Sequence, residues 1–262
     1  MKLNLQRRKT FIAIFLRTTL FLVLLSLLPV SCSNPFSPST EDYDFFPKDN
    51  NRENEEAELV ALCLSGDISA PDTLYNRVLA DLADIRSSYG DQLTQVNTIR
   101  FRAPWVPSCI IIGFESGTSQ LVANGQYNAW DKLNEQYQVT EIDLSSIKND
   151  WLVLYFKGRL HPRRLSELYS KLPGVRCAEP NGIIGDSSNI YPKQTTISGM
   201  TYLFRNGWGD CFSGCISNEY WYFVSYELSE TIFIGYWNPQ QDSKEPDWWS
   251  EAKQNIEQYR KF

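Results

Sequence analysis

Apolar side chains in APDTLYNRVLADLADIRSSYG fall at Leu74, Val78, Leu82 and Ile85, a helical stripe opened by Pro71 and Asp72 and closed by Gly90. Just before it, ELVALCLSG is a continuous apolar run of strand length and reads as a first strand. Beyond residue 107 the period changes repeatedly. SCIIIGFES reads as a buried strand, and SQLVANGQYNAWDKLNEQY has helical spacing interrupted at Asn124-Gly125. QVTEIDL alternates like a strand with one wet face, WLVLYFKG is a further strand, and HPRRLSELYSKLPG is a short helix with Leu165, Leu168 and Leu172 on one side. VRCAEPNGIIG is read as a strand again. SGMTYLFRNGW, EYWYFVSYEL and ETIFIGYWNP predict three more strands, the first two joined as a hairpin. PDWWSEAKQNIEQYRKF predicts a terminal helix carrying Trp249, Ala252, Ile256 and Tyr259. No repeat of fixed period is visible.

The middle of this series runs strand, helix, strand, strand, helix, strand, which is the split βαβ plan. The expected class is therefore α+β: a ferredoxin-like core with an added C-terminal β-hairpin region and a terminal helix. Leu172-Pro173-Gly174-Val175 followed by Ala178-Glu179-Pro180-Asn181 resembles the PGVxxAEPN signature near the end of subtilisin-type propeptide domains. The resemblance covers residues of about 108–186. It implies the ferredoxin-like plan and a module that inhibits or chaperones a protease. In that family the strand leads into the cleavage junction and the protease. Here Gly-Ile-Ile-Gly and some eighty residues without protease motifs follow it.

The start of the chain changes how the rest is read. MKLNLQRRKTFIAIFLRTTLFLVLLSLLPVSC carries Lys2, Arg7, Arg8, Lys9 and Arg17 without an acid, then an apolar run from Leu20 to Val30. That is the charged and apolar succession of a secretory signal. It ends in Leu28-Pro29-Val30-Ser31-Cys32, which resembles the lipobox of bacterial lipoproteins. The resemblance implies cleavage before Cys32, lipid attachment there, and a membrane anchor in place of a spanning helix. Read instead as an uncleaved span, the segment would hold Arg17 in hydrocarbon at roughly 2.5 to 3.5 kcal/mol. With Ser33 as the second mature residue, the resemblance implies the outer membrane or cell surface. Residues 1–31 are thus the signal, and 32–58, rich in Pro, Ser, Asn and acid, an acidic disordered tether. Within it, Tyr43, Phe45 and Phe46 stand out as a short aromatic docking segment or as stray aromatics. An α+β domain with the ferredoxin-like core follows at 59–198, and the hairpin and terminal helix at 199–262, packed on the same domain.

Losing residues 1–31 removes five of the 25 basic residues and none of the 31 acidic ones, leaving a net charge of −11. Nucleic acid and anionic surfaces are poor partners for such a chain.

Export also fixes the reading of the cysteines, because outside the membrane they pair. Besides Cys32 there are Cys63, Cys109, Cys177, Cys211 and Cys215, an odd number. Cys211 and Cys215 in NGWGDCFSGCISNEYWYF are read as a disulfide clipping the turn of the hairpin. A tetrahedral metal site needs further ligands, and His161 is the single histidine. The spacing is also one residue too long for a redox CxxC. A second bridge, Cys109 to Cys177, is open to the topology, since their strands are neighbours in the split βαβ plan; Cys63 is then a buried thiol.

No catalytic residue is nominated. His161 has no nucleophile or orienting acid beside it in sequence, and Glu227 and Glu230 read as a solvated strand end. The candidate binding surface is Trp208, Asp210, Tyr220 and Tyr222, an acid with three aromatic side chains able to stack on a sugar or anchor a protein, or else to fill a core. No cofactor and no metal are expected. The expectation is a non-enzymatic binding or assembly module of the cell envelope, anchored to a membrane, with a protein or glycan partner. The alternatives are a protease-inhibitor-like module and a divergent enzyme acting on polysaccharide.

Overall fold

The computed structural model describes residues 52–195, 199–226 and 230–262. These form an α+β body with two four-stranded antiparallel sheets and seven helices. Cys32 and the aromatic segment Tyr43 to Phe46 lie outside the described residues, as does Glu227.

The first element corrects the sequence reading. ELVALCLSG is not a strand but the second half of helix α1 (Arg52–Ser65). Leu59, Val60, Ala61, Leu62 and Cys63 are all buried, so this half of the helix is apolar all round and its 3.6-residue period disappears. The helix also begins inside the stretch assigned to the tether, because RENEEAE is made of good helix formers. Helix α2 (Asp72–Tyr89) is the predicted one and buries Val78, Leu82 and Ile85. A single turn, α3 (Thr94–Thr98), follows.

The first sheet contains β1 (Trp105–Phe114), β2 (Val139–Asp143), β3 (Trp151–Phe156) and β4 (Val175–Gly182). Their order is β2-β3-β1-β4, with every neighbouring pair antiparallel. Helices α4 (Thr118–Ala123) and α5 (Asp131–Gln136) link β1 to β2, and α6 (Pro162–Tyr169) links β3 to β4. The break at Asn124-Gly125 is thus real. These helices cover Ile110, Ile112, Phe114, Leu152, Leu154 and Phe156 through Val122, Trp130, Leu165 and Tyr169. Gly174, in the Pro-Gly turn before β4, has φ +74° and lies so close to Thr118 that a Cβ there would meet its Oγ1 at 2.3 Å. No L side chain fits that turn without moving α4.

The second sheet is a meander of β5 (Asn189–Gln194), β6 (Gly199–Trp208), β7 (Ser217–Tyr226) and β8 (Ile232–Trp237). Pro192 gives β5 a poor strand signature, and β5 occupies an edge, where a missing donor is tolerated. Because β5 pairs with β6, segments 59–198 and 199–262 share this sheet. One face, with Ile190, Met200, Tyr202, Phe204, Trp221 and Phe223, packs with α1 and α2. The other, with Tyr191, Leu203, Tyr220, Tyr222 and Trp237, packs with Trp249 and Ala252 of helix α7 (Trp249–Tyr259).

Buried polar groups tie these layers together. Asp81 of α2 accepts hydrogen bonds from the Tyr202 hydroxyl at 2.8 Å and the Ser225 hydroxyl at 2.6 Å, and pairs with Arg77 at 2.9 Å. Asn255 of α7 donates its amide to the backbone carbonyls of Tyr191 and Thr201, at 2.8 and 3.2 Å. Both satisfy groups that would otherwise be buried without partners.

Candidate functional site

The β6–β7 hairpin keeps strict register from Gly199 opposite Tyr226 to Trp208 opposite Ser217. Its eight-residue turn, 209–216, is closed by the Cys211–Cys215 disulfide, as the spacing predicts. Gly207 sits under the bridge, where a Cβ would meet the Cys215 Sγ at 2.7 Å, so the rung before the last, Gly207 opposite Asn218, accepts only glycine without a shift.

The turn is held from below by polar groups. The backbone N–H of Asp186 donates to the Cys211 carbonyl at 2.8 Å, and the N–H of Cys215 donates to the Asp186 carboxylate at 3.2 Å. Arg205, buried on β6, pairs with that carboxylate and donates to the Ser187 carbonyl at 2.6 Å. Its guanidinium lies over the Tyr191 ring, 5.7 Å from the centroid. Burial pushes the Asp186 carboxyl upward, but Arg205 and the N–H groups of Cys215 and Ser187 outweigh it and hold the carboxyl below its ordinary range. Further up, Asn206 and Tyr236 each donate to Glu219, both at 2.9 Å. The turn is therefore pinned to both the β4–β5 connection and the neighbouring strands.

Above this base the side chains are apolar and bare. Trp208 is 43 % exposed, Phe212 65 % and Ile216 71 %. Ile183 and Ile184, in the connection that Asp186 ties to the turn, are also exposed. Asp210 lies among them, its carboxylate accepting the Phe212 N–H at 3.3 Å. The result is a rigid apolar knob with one acid at its rim.

Of the four side chains nominated from sequence, the structure brings Trp208 and Asp210 to this knob. It separates Tyr220 and Tyr222 from them, which corrects the sequence reading. Tyr220 is 8 % exposed and Tyr222 1 %, both under α7. Tyr220 lies 4.8 Å from Trp249 and 5.7 Å from Trp237, and Tyr222 stacks on Trp248 at 5.5 Å, centroid to centroid. The terminal helix takes the face that alternation left open to a partner. Phe212 and Ile216 join Trp208 at the exposed turn, and their only signal in the sequence is a bulky apolar residue inside a cysteine-closed turn.

The second candidate bridge is also corrected. Cys109 is a buried free thiol, because the β1–β4 register sets Cys177 opposite Gly113, four residues further along β1. Cys109 instead has the Asn181 amide 3.8 Å from its sulfur. Cys63 is likewise free and buried.

No family model matches the chain, and neither a curated protein nor a solved structure matches it.

His161 is a packing residue in this setting. It is buried against Trp105, ring centroids 4.9 Å apart, and its Nδ1 has no hydrogen-bond partner. Burial, helped by Arg164 and Arg163, lowers its pKa to about 4, so the ring is neutral at pH 7. Glu230 is exposed. Among the described residues no three His, Cys, Asp or Glu side chains are grouped to hold a metal, and the sulfurs of Cys211 and Cys215 are bonded to each other. No described helix is long and apolar enough to cross a membrane.

Proposed function

We propose that this chain is a lipid-anchored envelope module that binds a protein partner through the clipped knob of Trp208, Phe212 and Ile216. The observation that carries the reading is the exposure of three large apolar side chains at a turn fixed by a disulfide and by the pairing of buried Arg205 with Asp186. Binding hot spots are built this way: a few large side chains held rigid before contact, so little entropy is lost on docking. A protein pocket suits the set better than a sugar, because Phe212 and Ile216 offer no hydrogen bonds and an aliphatic side chain gives a sugar ring no stacking plane. Asp210 on the rim favours a partner with a cationic edge. Lipid attachment at Cys32, export, and presentation at the outer membrane or cell surface are parts of the same proposal, resting on the first 32 residues.

The test is crosslinking in native envelopes followed by isolation of the anchored protein. The parent is expected to carry a partner that Phe212→Ser with Ile216→Ser loses and that Cys32→Ala, unable to be acylated, recovers poorly. A partner retained by the double variant would overturn the assignment to the knob.

A second reading draws on the first sheet. The order β2-β3-β1-β4 supports a ferredoxin-like unit, and β4 is its edge strand, leading into exposed Ile183 and Ile184. A propeptide-like module would use that exit strand against a protease cleft. Failure of the purified protein to slow a panel of subtilisin-like proteases would remove this reading without touching the first.

A further inference from the structure

The two sulfurs of the clip meet different surroundings. Arg205 donates from Nη2 to the Cys215 Sγ at 3.8 Å, and its Nε is buried without a hydrogen-bond partner, so the guanidinium has donor capacity to spare. Cys215 also rests on β6, where the missing side chain of Gly207 leaves room for its sulfur. Cys211 stands half-buried between exposed Asp210 and exposed Phe212.

A cation beside one sulfur and an acid beside the other decide how the bridge can open. In thiol–disulfide exchange the bond breaks toward the sulfur that better carries a negative charge, since the better thiolate is the better leaving group. A guanidinium stabilises a neighbouring thiolate, and a carboxylate disfavours it. Cys215 is therefore the leaving side and Cys211 the side attacked. Asp186 is the charge that opposes this at Cys215. Its Oδ1 accepts from Arg205 and from the Ser187 N–H, and its Oδ2 from the Cys215 N–H. The carboxylate thus meets the backbone of Cys215, while the guanidinium meets the sulfur itself.

We propose that the clip is an exchange site for a dithiol, with Cys211 the sulfur attacked and Cys215 the thiolate released against Arg205. A thiolate of the dithiol bonds to the Cys211 Sγ. The Cys211–Cys215 bond breaks, and its electron pair stays on the Cys215 Sγ. The second thiolate of the dithiol then attacks the reagent's sulfur in the mixed disulfide, which closes the reagent's own disulfide and expels Cys211. Two electrons pass to the clip; of the dithiol's two protons, one ends on Cys211 and one in solvent. The body tolerates this, because so short a loop contributes only about 2 kcal/mol on the chain-entropy model. The hydrogen bonds of Asp186 and Asn218 to the backbones of the two cysteines do not need the bridge. Reduction loosens the knob while the body stays folded, and so regulates the binding proposed above, on which this last consequence rests.

The purified full chain is reduced with dithiothreitol, freed of reagent and pulse-labelled with iodoacetamide over a range of pH, each cysteine being followed by mass spectrometry. Cys215 is expected to reach half its maximal rate at a pH at least about one unit below Cys211. Arg205→Gln is expected to bring the two curves together, and Arg205→Lys, which keeps the charge, to hold part of the gap. Buried Cys63 and Cys109 report on the body: where a variant labels them fast it has unfolded, and the parent curves decide alone. On the oxidised parent, glutathione followed by an acid quench is expected to leave its adduct on Cys211. Coincident curves or a lower half-point for Cys211 in the parent, an unchanged gap in folded Arg205→Gln, or an adduct on Cys215 would overturn the proposal. None of these measurements involves a partner, so failure of the knob as a binding surface leaves them untouched.

Discussion

The two ends of the β6–β7 hairpin use the same kind of side chain to opposite effect. In its body, Tyr220 and Tyr222 are buried beneath Trp248 and Trp249 of the terminal segment, and their apolar area stabilises the fold. At its tip, Trp208, Phe212 and Ile216 stand in water, and their burial is available to a partner. What separates the two is coverage rather than composition: α7 packs on the body, and the side chains of the tip stay exposed.

Changes in the body are expected to act on stability and changes in the tip on binding. Trp249→Ala empties the space beside Tyr220 and Trp237, whose centroids lie 4.8 and 4.4 Å away, and is expected to cost about 3 to 5 kcal/mol in denaturant unfolding. Replacing both Cys211 and Cys215 by Ser frees a five-residue loop and is expected to cost about 2 kcal/mol on the chain-entropy model. In the same variant, hydrogen exchange should rise in 209–216 and stay low in 220–224, which separates tip from body directly.

Asp186 gives the tip a pH dependence of its own. Its carboxyl is held below the ordinary value in the folded state, so its contribution is complete above the unfolded pKa near 4 and is lost as pH falls through the lower folded value. Loop 209–216 should accordingly loosen in exchange measurements below about pH 4, and Asp186→Asn should show that looseness at neutral pH. The smallest effect is expected from Phe212→Ser with Ile216→Ser, which should move the unfolding free energy by less than about 0.5 kcal/mol, since neither side chain is buried.

How much was legible follows the same division between local and distant causes. The strands β1 to β4 and helix α6 could be read because each pairs a clear period with a local stop, such as the Pro173-Gly174 turn. Helix α1 could not, because burial on all sides erased its period and its polar first half resembles a tether. Tyr220 and Tyr222 could be placed on one face of a strand but not under a cover, since what covers them begins some twenty-five residues later. The clip was legible from a four-residue spacing. The network beneath it was not, because Asp186 and Arg205 meet only once β5 pairs with β6. Asn255 is fully buried on a helix face expected to be apolar, and no local pattern announces a polar group that serves the backbone of another element.

The most direct measurement places a photo-crosslinking amino acid at position 212, and in a separate chain at position 121, where Leu121 is also exposed but sits on α4 beside the first sheet. Illumination of native envelopes is expected to give one discrete adduct from position 212 and none from position 121. No adduct from 212, or the same adducts from both positions, would contradict a binding role for the knob.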